Sequence, residues 1–291
     1  MKIPHFSVLD QTSSFPQKDL EMTATILMSS IEKWGDVILS PHPLTIELTI
    51  EKLSAGVALS RSEFSVQLKN HKHETLLTSV AAYKLAFGTD LNGDAPDIKI
   101  AIDANFLRNY LGDERQGAIC GTFIHELAHS FFQTGKKHSG GLYATRWGTN
   151  LVESAQGPLA GGHHTIRLAG EPVPLWSDGL HLDHDFATRF NSGLGPRGSY
   201  YCELAELEQA MASDNGLPTA LGDIFFAARK NGALDGNGGV DTIFINDQSS
   251  SYDVFRRDTD WIVKHRTGEY EIELRNMEYV LFSNEIMPLY V

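Results

Sequence analysis

The chain has 291 residues, with 24 Lys and Arg against 37 Asp and Glu, a formal net charge of −13 and a pI near 5.3. Such acidity argues against a nucleic-acid or anionic-membrane partner, and suits calcium binding, an extracellular life or simple solubility. With 42% hydrophobic and 21% charged residues it reads as an ordinary globular chain, long enough for one large domain with an appendage, and it has no apolar run long enough for a membrane span or a signal peptide.

Residues 1–17, MKIPHFSVLDQTSSFPQ, are polar and contain proline, which predicts a loosely held lead-in. Leu20, Ala24, Leu27, Ile31 and Trp34 then recur at helical spacing, predicting a helix over Asp19 to Trp34. Leu44, Ile46, Leu48 and Ile50 alternate with Thr and Glu, the pattern of a half-buried strand, and a second strand is expected around Val57 to Phe64. Helical spacing returns over Glu74 to Phe87 through Leu77, Val80, Ala81 and Leu85, with Lys84 facing outward. DLNGDAPD, Asp90 to Asp97, is a turn, and Ile98, Ile100 and Ile102 alternate strictly in a further strand. Asp90, Asn92 and Asp94 are hard oxygen donors suited to calcium, but no Glu closes the loop. A solvated acidic turn is the simpler expectation.

The chain is organised around Gly117 to Gly135, GAICGTFIHELAHSFFQTG. At its centre stands HELAH. His125 and His129 are four residues apart, so a helix places them on one face, with Glu126 beside the first. Two imidazoles can take two corners of a tetrahedral zinc while Glu126 stays unligated as the general base toward its water. Ile119, Phe123, Ile124, Leu127, Ala128, Phe131 and Phe132 make this a core helix, where two unpartnered imidazoles would be costly. Cys120 lies on the same apolar helix and the other cysteine is Cys202, which predicts two free thiols rather than a disulfide. The order of helix, strands, helix, strand and zinc helix predicts an α+β domain with the active helix beneath a sheet.

Beyond the helix, residues 136–180 are rich in Gly and Ser, as expected of a cleft wall with ligand-bearing loops. Glu203 to Met211, ELAELEQAM, reads as a helix ended by Asn215 and Gly216, and the catalytic domain is expected to close near Gly222. The tail then changes texture. VDTIFI, SYDVF, WIVKH, YEIEL and YVLF are short β-type runs between turn signals, a small all-β module. DGNGGVDT is similar to a degenerate glycine-aspartate calcium repeat, but one copy cannot build a β-roll, so a hairpin-entry turn is expected there. A catalytic zinc needs three protein ligands, and the compact spacing of the metzincin signature fails because Phe132 and Gly135 occupy its places. His138, Glu153, His163, His164, His181 and His184 all remain open as the third ligand. Glu153 would sit on a second helix, and His181 and His184 lie in a Gly-containing turn with acidic neighbours, WSDGLHLDHDF.

The run PLAGGHHTIRLAGEPVPLWSDGLHLDHDF resembles a segment of bacterial exported zincin-type zinc metalloproteases, and GLGPRGSYYCELAELEQAMASDNG resembles their closing loop and helix. VDTIFINDQSSSYDVF through LRNMEYVLFSNE resembles the β module of type I secreted repeats-in-toxin proteins. The resemblance implies a zincin-like metalloprotease domain over 1–222 and a small β module over 223–291. It implies a zinc held by His125, His129 and His181, calcium as a further ion, and export without a cleaved N-terminal signal peptide. The sequence departs from the family in lacking the Met-turn methionine, where Phe190 stands. The expected reaction is peptide-bond hydrolysis with Glu126 as base, and Tyr143, Tyr200 and Tyr201 are candidate oxyanion donors. The Ile98 to Ile102 strand is the expected edge on which an extended protein or peptide substrate pairs. Two other functions fit the same residues: a zincin-like binding or adhesion protein without proteolysis, and a zinc hydrolase acting on a non-peptide amide or ester.

Overall fold

Alternating apolar residues build a central sheet, and one long buried helix lies against it. The computed structural model describes residues 2–61, 66–69, 75–112, 114–131, 152–154, 157–160, 163–170, 173–174, 184–189, 192, 202, 204, 206–214, 217, 219, 221, 224–226, 231–235, 241–245, 247–282 and 286–289. The chain runs through strand β1 (Lys2–Asp10), helix α1 (Gln17–Val37), β2 (Pro43–Glu51), β3 (Ala58–Ser60), β4 (Val66–Lys69), β5 (Thr75–Thr78), α2 (Val80–Phe87), β6 (Ile98–Asp103), α3 (Ala104–Tyr110) and α4 (Gln116–Phe131). β1, β2 and β6 are parallel, β3 runs antiparallel, and the order across the sheet is β1-β2-β6-β3. Leu44, Leu48, Ile50, Ile98 and Ile102 are fully buried in its core. The chain is therefore a mixed α and β protein, consistent with the α+β expectation.

Three local expectations are corrected. The lead-in is a strand: Phe6 and Val8 pack against the core as β1 runs beside β2. Asp10 ends it, its carboxylate accepting from the N–H groups of Thr12, Ser14 and Phe15 to turn the chain toward α1. The helix predicted over Glu74 to Phe87 begins only at Val80, because Ser79 caps it by accepting from the Ala82 N–H, and Thr75 to Thr78 instead pair with β4. The Ile98 to Ile102 strand is not an edge. β2 occupies one side of it and β3 the other.

Helix α4 packs against α1, β3 and β6. Phe123, Ile124, Leu127 and Phe131 are almost wholly buried along it, each such side chain contributing about 1.5–3 kcal/mol of burial. Trp34 of α1 donates its indole N–H to the Ile124 carbonyl at 3.2 Å and meets the Phe131 ring edge-on at 5.4 Å. The expectation of free thiols also fails. Cys120 of α4 and Cys202 form a disulfide, with Cα atoms 5.3 Å apart, well within bridging reach. Cys120 does sit on a buried helix, but Cys202, 82 residues later, packs against that same core.

The middle of the chain contributes β7 (Val152–Ser154), β8 (Gly157–Ala160), α5 (His163–Ala169), β9 (Val173–Pro174), α6 (His184–Arg189) and α7 (Glu206–Asp214). The tail contributes β10 (Ile224–Phe226), β11 (Gly232–Asp235), β12 (Thr242–Ile245), β13 (Tyr252–Arg257), β14 (Asp260–His265), β15 (Glu271–Arg275), β16 (Tyr279–Phe282) and β17 (Ile286–Pro288). These form two four-stranded sheets, β10-β12-β16-β17 and β11-β15-β14-β13. β10, β12 and β16 are mutually parallel, as are β11 and β15. The flanks of DGNGGVDT are thus not the arms of a hairpin, because β11 and β12 belong to different sheets. The tail has its own buried cluster, from Leu234 to Leu289, while the cluster around α4 ends at Leu217. Among the described residues, no helix is long and apolar enough to cross a membrane.

Candidate functional site

The apolar periodicity of α4 fixes which way its polar residues face. With Phe123, Ile124, Leu127 and Phe131 committed to the core, His125 and His129 fall about 40° apart around the axis, and Glu126 flanks them. His125 and Glu126 are each only 6% exposed, and His129 is half-buried. The Nε2 atoms of the two imidazoles converge to 2.9 Å, with ring centroids 4.6 Å apart and planes 83° to one another. Two ring nitrogens this close cannot both carry a proton. They share one, or they share a cation. A tetrahedral ion with metal–nitrogen bonds of about 2.05 Å separates two ligating nitrogens by about 3.3 Å, so a small opening of the pair fits zinc.

Glu126 is the third polar residue of this turn. Burial pushes its carboxyl up from 4.5 to about 7, against the opposing pull of a backbone hydrogen bond from Ser60. That bond has a structural origin. The Arg61 N–H donates to the Lys99 carbonyl at 2.6 Å, and the Val57 carbonyl accepts from the Asp103 N–H at 2.9 Å. Residues 57 and 61 thus point their backbone groups at β6, and the alternation turns those of Ser60 to the outer edge of β3, where Glu126 lies. The side chains repeat the connection. Ser130 Oγ donates to the Glu126 carbonyl at 3.0 Å and lies 2.9 Å from Ser60 Oγ. At the end of the helix, Ser79 Oγ donates to the Phe131 carbonyl at 3.3 Å and ties α4 to the start of α2.

The structure thus brings His125, Glu126 and His129 together on α4. His181, the ligand implied by the resemblance, lies outside the described residues, as do His138, Tyr143, Phe190, Tyr200 and Tyr201. Glu153 is on strand β7 and not on a second helix, because it lies in an antiparallel pair with β8 opposite Pro158. His163 and His164 open α5, and His184 opens α6. Among the described residues, no group of three or more His, Cys, Asp or Glu side chains is arranged to hold a metal.

The acidic turn at 90–97 is organised by a lysine that the sequence had placed outward. Lys84 Nζ bonds Asp90 at 2.6 Å and the buried Asp97 at 3.0 Å, and only 12% of its side chain is exposed. Lys84 is pulled inward because burying Asp97 just before β6, where it accepts from Thr45 near the start of β2, requires a matching cation. The other Asp90 oxygen accepts from the N–H groups of Asn92 and Gly93. Asp90 is held below the usual carboxylate range, chiefly by the hydrogen bond from Lys84, and Lys84 is raised despite its burial by its bonds to Asp90 and Asp97.

Sequence reasoning missed Ser60 and Ser130. Ser130 had a readable position, four residues after Glu126 on the same helix. Ser60 had no such signal, because its place depends on which strand ends the sheet. Comparison of the chain with protein-family models, curated proteins and solved structures finds no match.

Proposed function

We propose that the chain is a zinc-dependent endopeptidase acting on protein or peptide substrates, with a zincin-like domain over residues 1–222 and a β module over 223–291. One observation carries the proposal: the 2.9 Å convergence of the His125 and His129 Nε2 atoms on a buried helical turn that also bears Glu126. A shared cation gives two imidazoles on so apolar a helix a reason to turn the same ring nitrogen toward one point. The third ligand is assigned to His181 on its sequence context alone.

A zinc ion held there would supply Lewis acidity toward the attacking water and the scissile carbonyl. The chain's own part is proton transfer and alignment. Glu126 would stay off the metal, and its burial makes its carboxylate basic enough to take a proton from water and return it to the leaving amine. The substrate strand is assigned to β3 and no longer to the Ile98 to Ile102 strand, whose two sides are filled. Alternation turns the backbone groups of Ala58 to the outer edge of β3, next to the Ser60 amide that meets Glu126, so an extended peptide can pair there. Asp90 already has its charge matched by Lys84, and calcium has no part in the proposed chemistry.

The Cys120–Cys202 disulfide supports an oxidising compartment, in keeping with an exported protein. Casein cleavage by the zinc-loaded protein, abolished by chelator and restored by zinc, tests the function. A zinc-loaded protein that leaves casein and gelatin intact would favour a binding protein or a hydrolase of non-peptide amides or esters.

A further inference from the structure

Strand β3 is three residues long and among the described residues has one sheet neighbour, β6, so that pairing alone gives its register little support. Its last residue is nevertheless held from a second direction. Ser60 and Ser130 are 70 residues apart in sequence, with hydroxyl oxygens 2.9 Å apart. Ser130 is fully buried and directs its one hydroxyl proton to the Glu126 carbonyl at 3.0 Å, which leaves the Ser60 hydroxyl as donor in the pair. The connections form a closed circuit. It runs from the Glu126 main chain to Ser130, across to Ser60, and from the Ser60 amide back to the Glu126 side chain.

We propose that Ser60, pinned by Ser130, is a positioning residue for Glu126: the hydroxyl pair sets β3 in register against α4, and the outward Ser60 N–H then holds the carboxylate in place. The role in turnover rests on the reading of Glu126 as general base. A one-residue slip of β3 would turn the Ser60 N–H toward β6 and take it away from Glu126, so the hydroxyl contact and the amide contact stand or fall together.

The test has two arms. In the metal-free protein, the Ser60 amide is expected to be protected from hydrogen exchange although it faces away from the sheet, and Ser130→Ala is expected to speed its exchange by about tenfold or more. In the zinc-loaded protein, with casein as substrate, Ser60→Ala is expected to lower kcat by about tenfold while KM stays within about twofold and zinc content is unchanged. Ser60→Thr keeps the hydroxyl and is expected to restore kcat to within about twofold of the starting protein. Should Ser130→Ala fail to fold, Ser60→Ala at the half-exposed edge reads the same linkage through exchange of the neighbouring β3 amides. A Ser60 amide that exchanges like an exposed one, or hydroxyl deletions that leave exchange and kcat both unchanged, overturns the proposal. A protected, Ser130-dependent amide in a protein that cleaves nothing upholds the positioning of Glu126 and counts against hydrolysis alone.

Discussion

Cys120 and Cys202 are bridged across 82 residues with Cα atoms 5.3 Å apart, and the loop they close contains His125, Glu126, His129 and His181. One end of that loop is the buried helix of the site, where the Ser30 hydroxyl of α1 is shared between the Ile26 carbonyl at 3.0 Å and the Cys120 carbonyl at 3.3 Å. The other end leads into α7. Closing a loop of this length restricts the unfolded chain, by about 4.5 kcal/mol in the chain-entropy relation. Reduction, or Cys202→Ser, is therefore expected to lower the urea midpoint substantially, and reductant should have no further effect on the Cys202→Ser protein. Equal midpoints with and without reductant in the unaltered protein would show the bridge to be absent.

Glu126→Gln is expected to keep the metal and lose nearly all turnover, by about 100-fold or more, since an amide accepts no proton. The same change has a second consequence in the metal-free protein. The folded carboxyl titrates at about 7 and the unfolded one near 4.5, so between these values the folded state binds more protons and its stability falls as pH rises. The penalty is complete above pH 7, at about 3 kcal/mol. Metal-free Glu126→Gln is thus expected to be more stable than the unaltered protein at pH 8 and equal to it at pH 4, read by denaturant midpoints. A variant less stable at pH 8 would contradict this, as would wild-type casein cleavage by its zinc-loaded form.

Asp103 gives the opposite sign. Burial opposes its ionisation, but the N–H groups of Phe106, Leu53 and Asn105 hydrogen-bond the carboxylate and together hold it below the usual range. A depressed carboxylate stabilises the fold above its unfolded value of 3.8, and that contribution is lost as pH falls through the folded value. Asp103→Ala removes the cap of α3 and strands the Leu53 N–H, at a cost of about 2 kcal/mol near pH 7. Its midpoint should fall less steeply with acid than that of the unaltered protein. Parallel pH curves would show that the cap carries no charge-dependent stability.

The sequence was legible wherever a feature depends on residues close together in the chain. The alternation at Leu44 to Ile50 and Ile98 to Ile102, the helical spacing through Leu27, Ile31 and Trp34, and the four-residue interval of His125 and His129 are all local patterns, and each element formed as read. What depends on distant partners was not legible. Nothing near Ile100 says that Ser60 will pair beside it and make β6 an interior strand. Nothing near Cys120 announces Cys202, and nothing in DGNGGVDT tells that β11 and β12 will join different sheets. Lys84 looked like an outward residue of an amphipathic helix until Asp97, 13 residues on, claimed it. The polar lead-in hid a strand because the apolar residues that pack on the core there, Phe6 and Val8, stand among polar neighbours.

The proposed function depends on a zinc ion shared by His125, His129 and His181. Anomalous diffraction from a crystal of the zinc-loaded protein tests it most directly. One full-occupancy peak is expected about 2.0–2.1 Å from the Nε2 atoms of His125 and His129 and from a ring nitrogen of His181, with Glu126 near but unligated. A peak ligated by Glu153 or His184 in place of His181 would correct the ligand set. The absence of any zinc between His125 and His129 would contradict the proposed function.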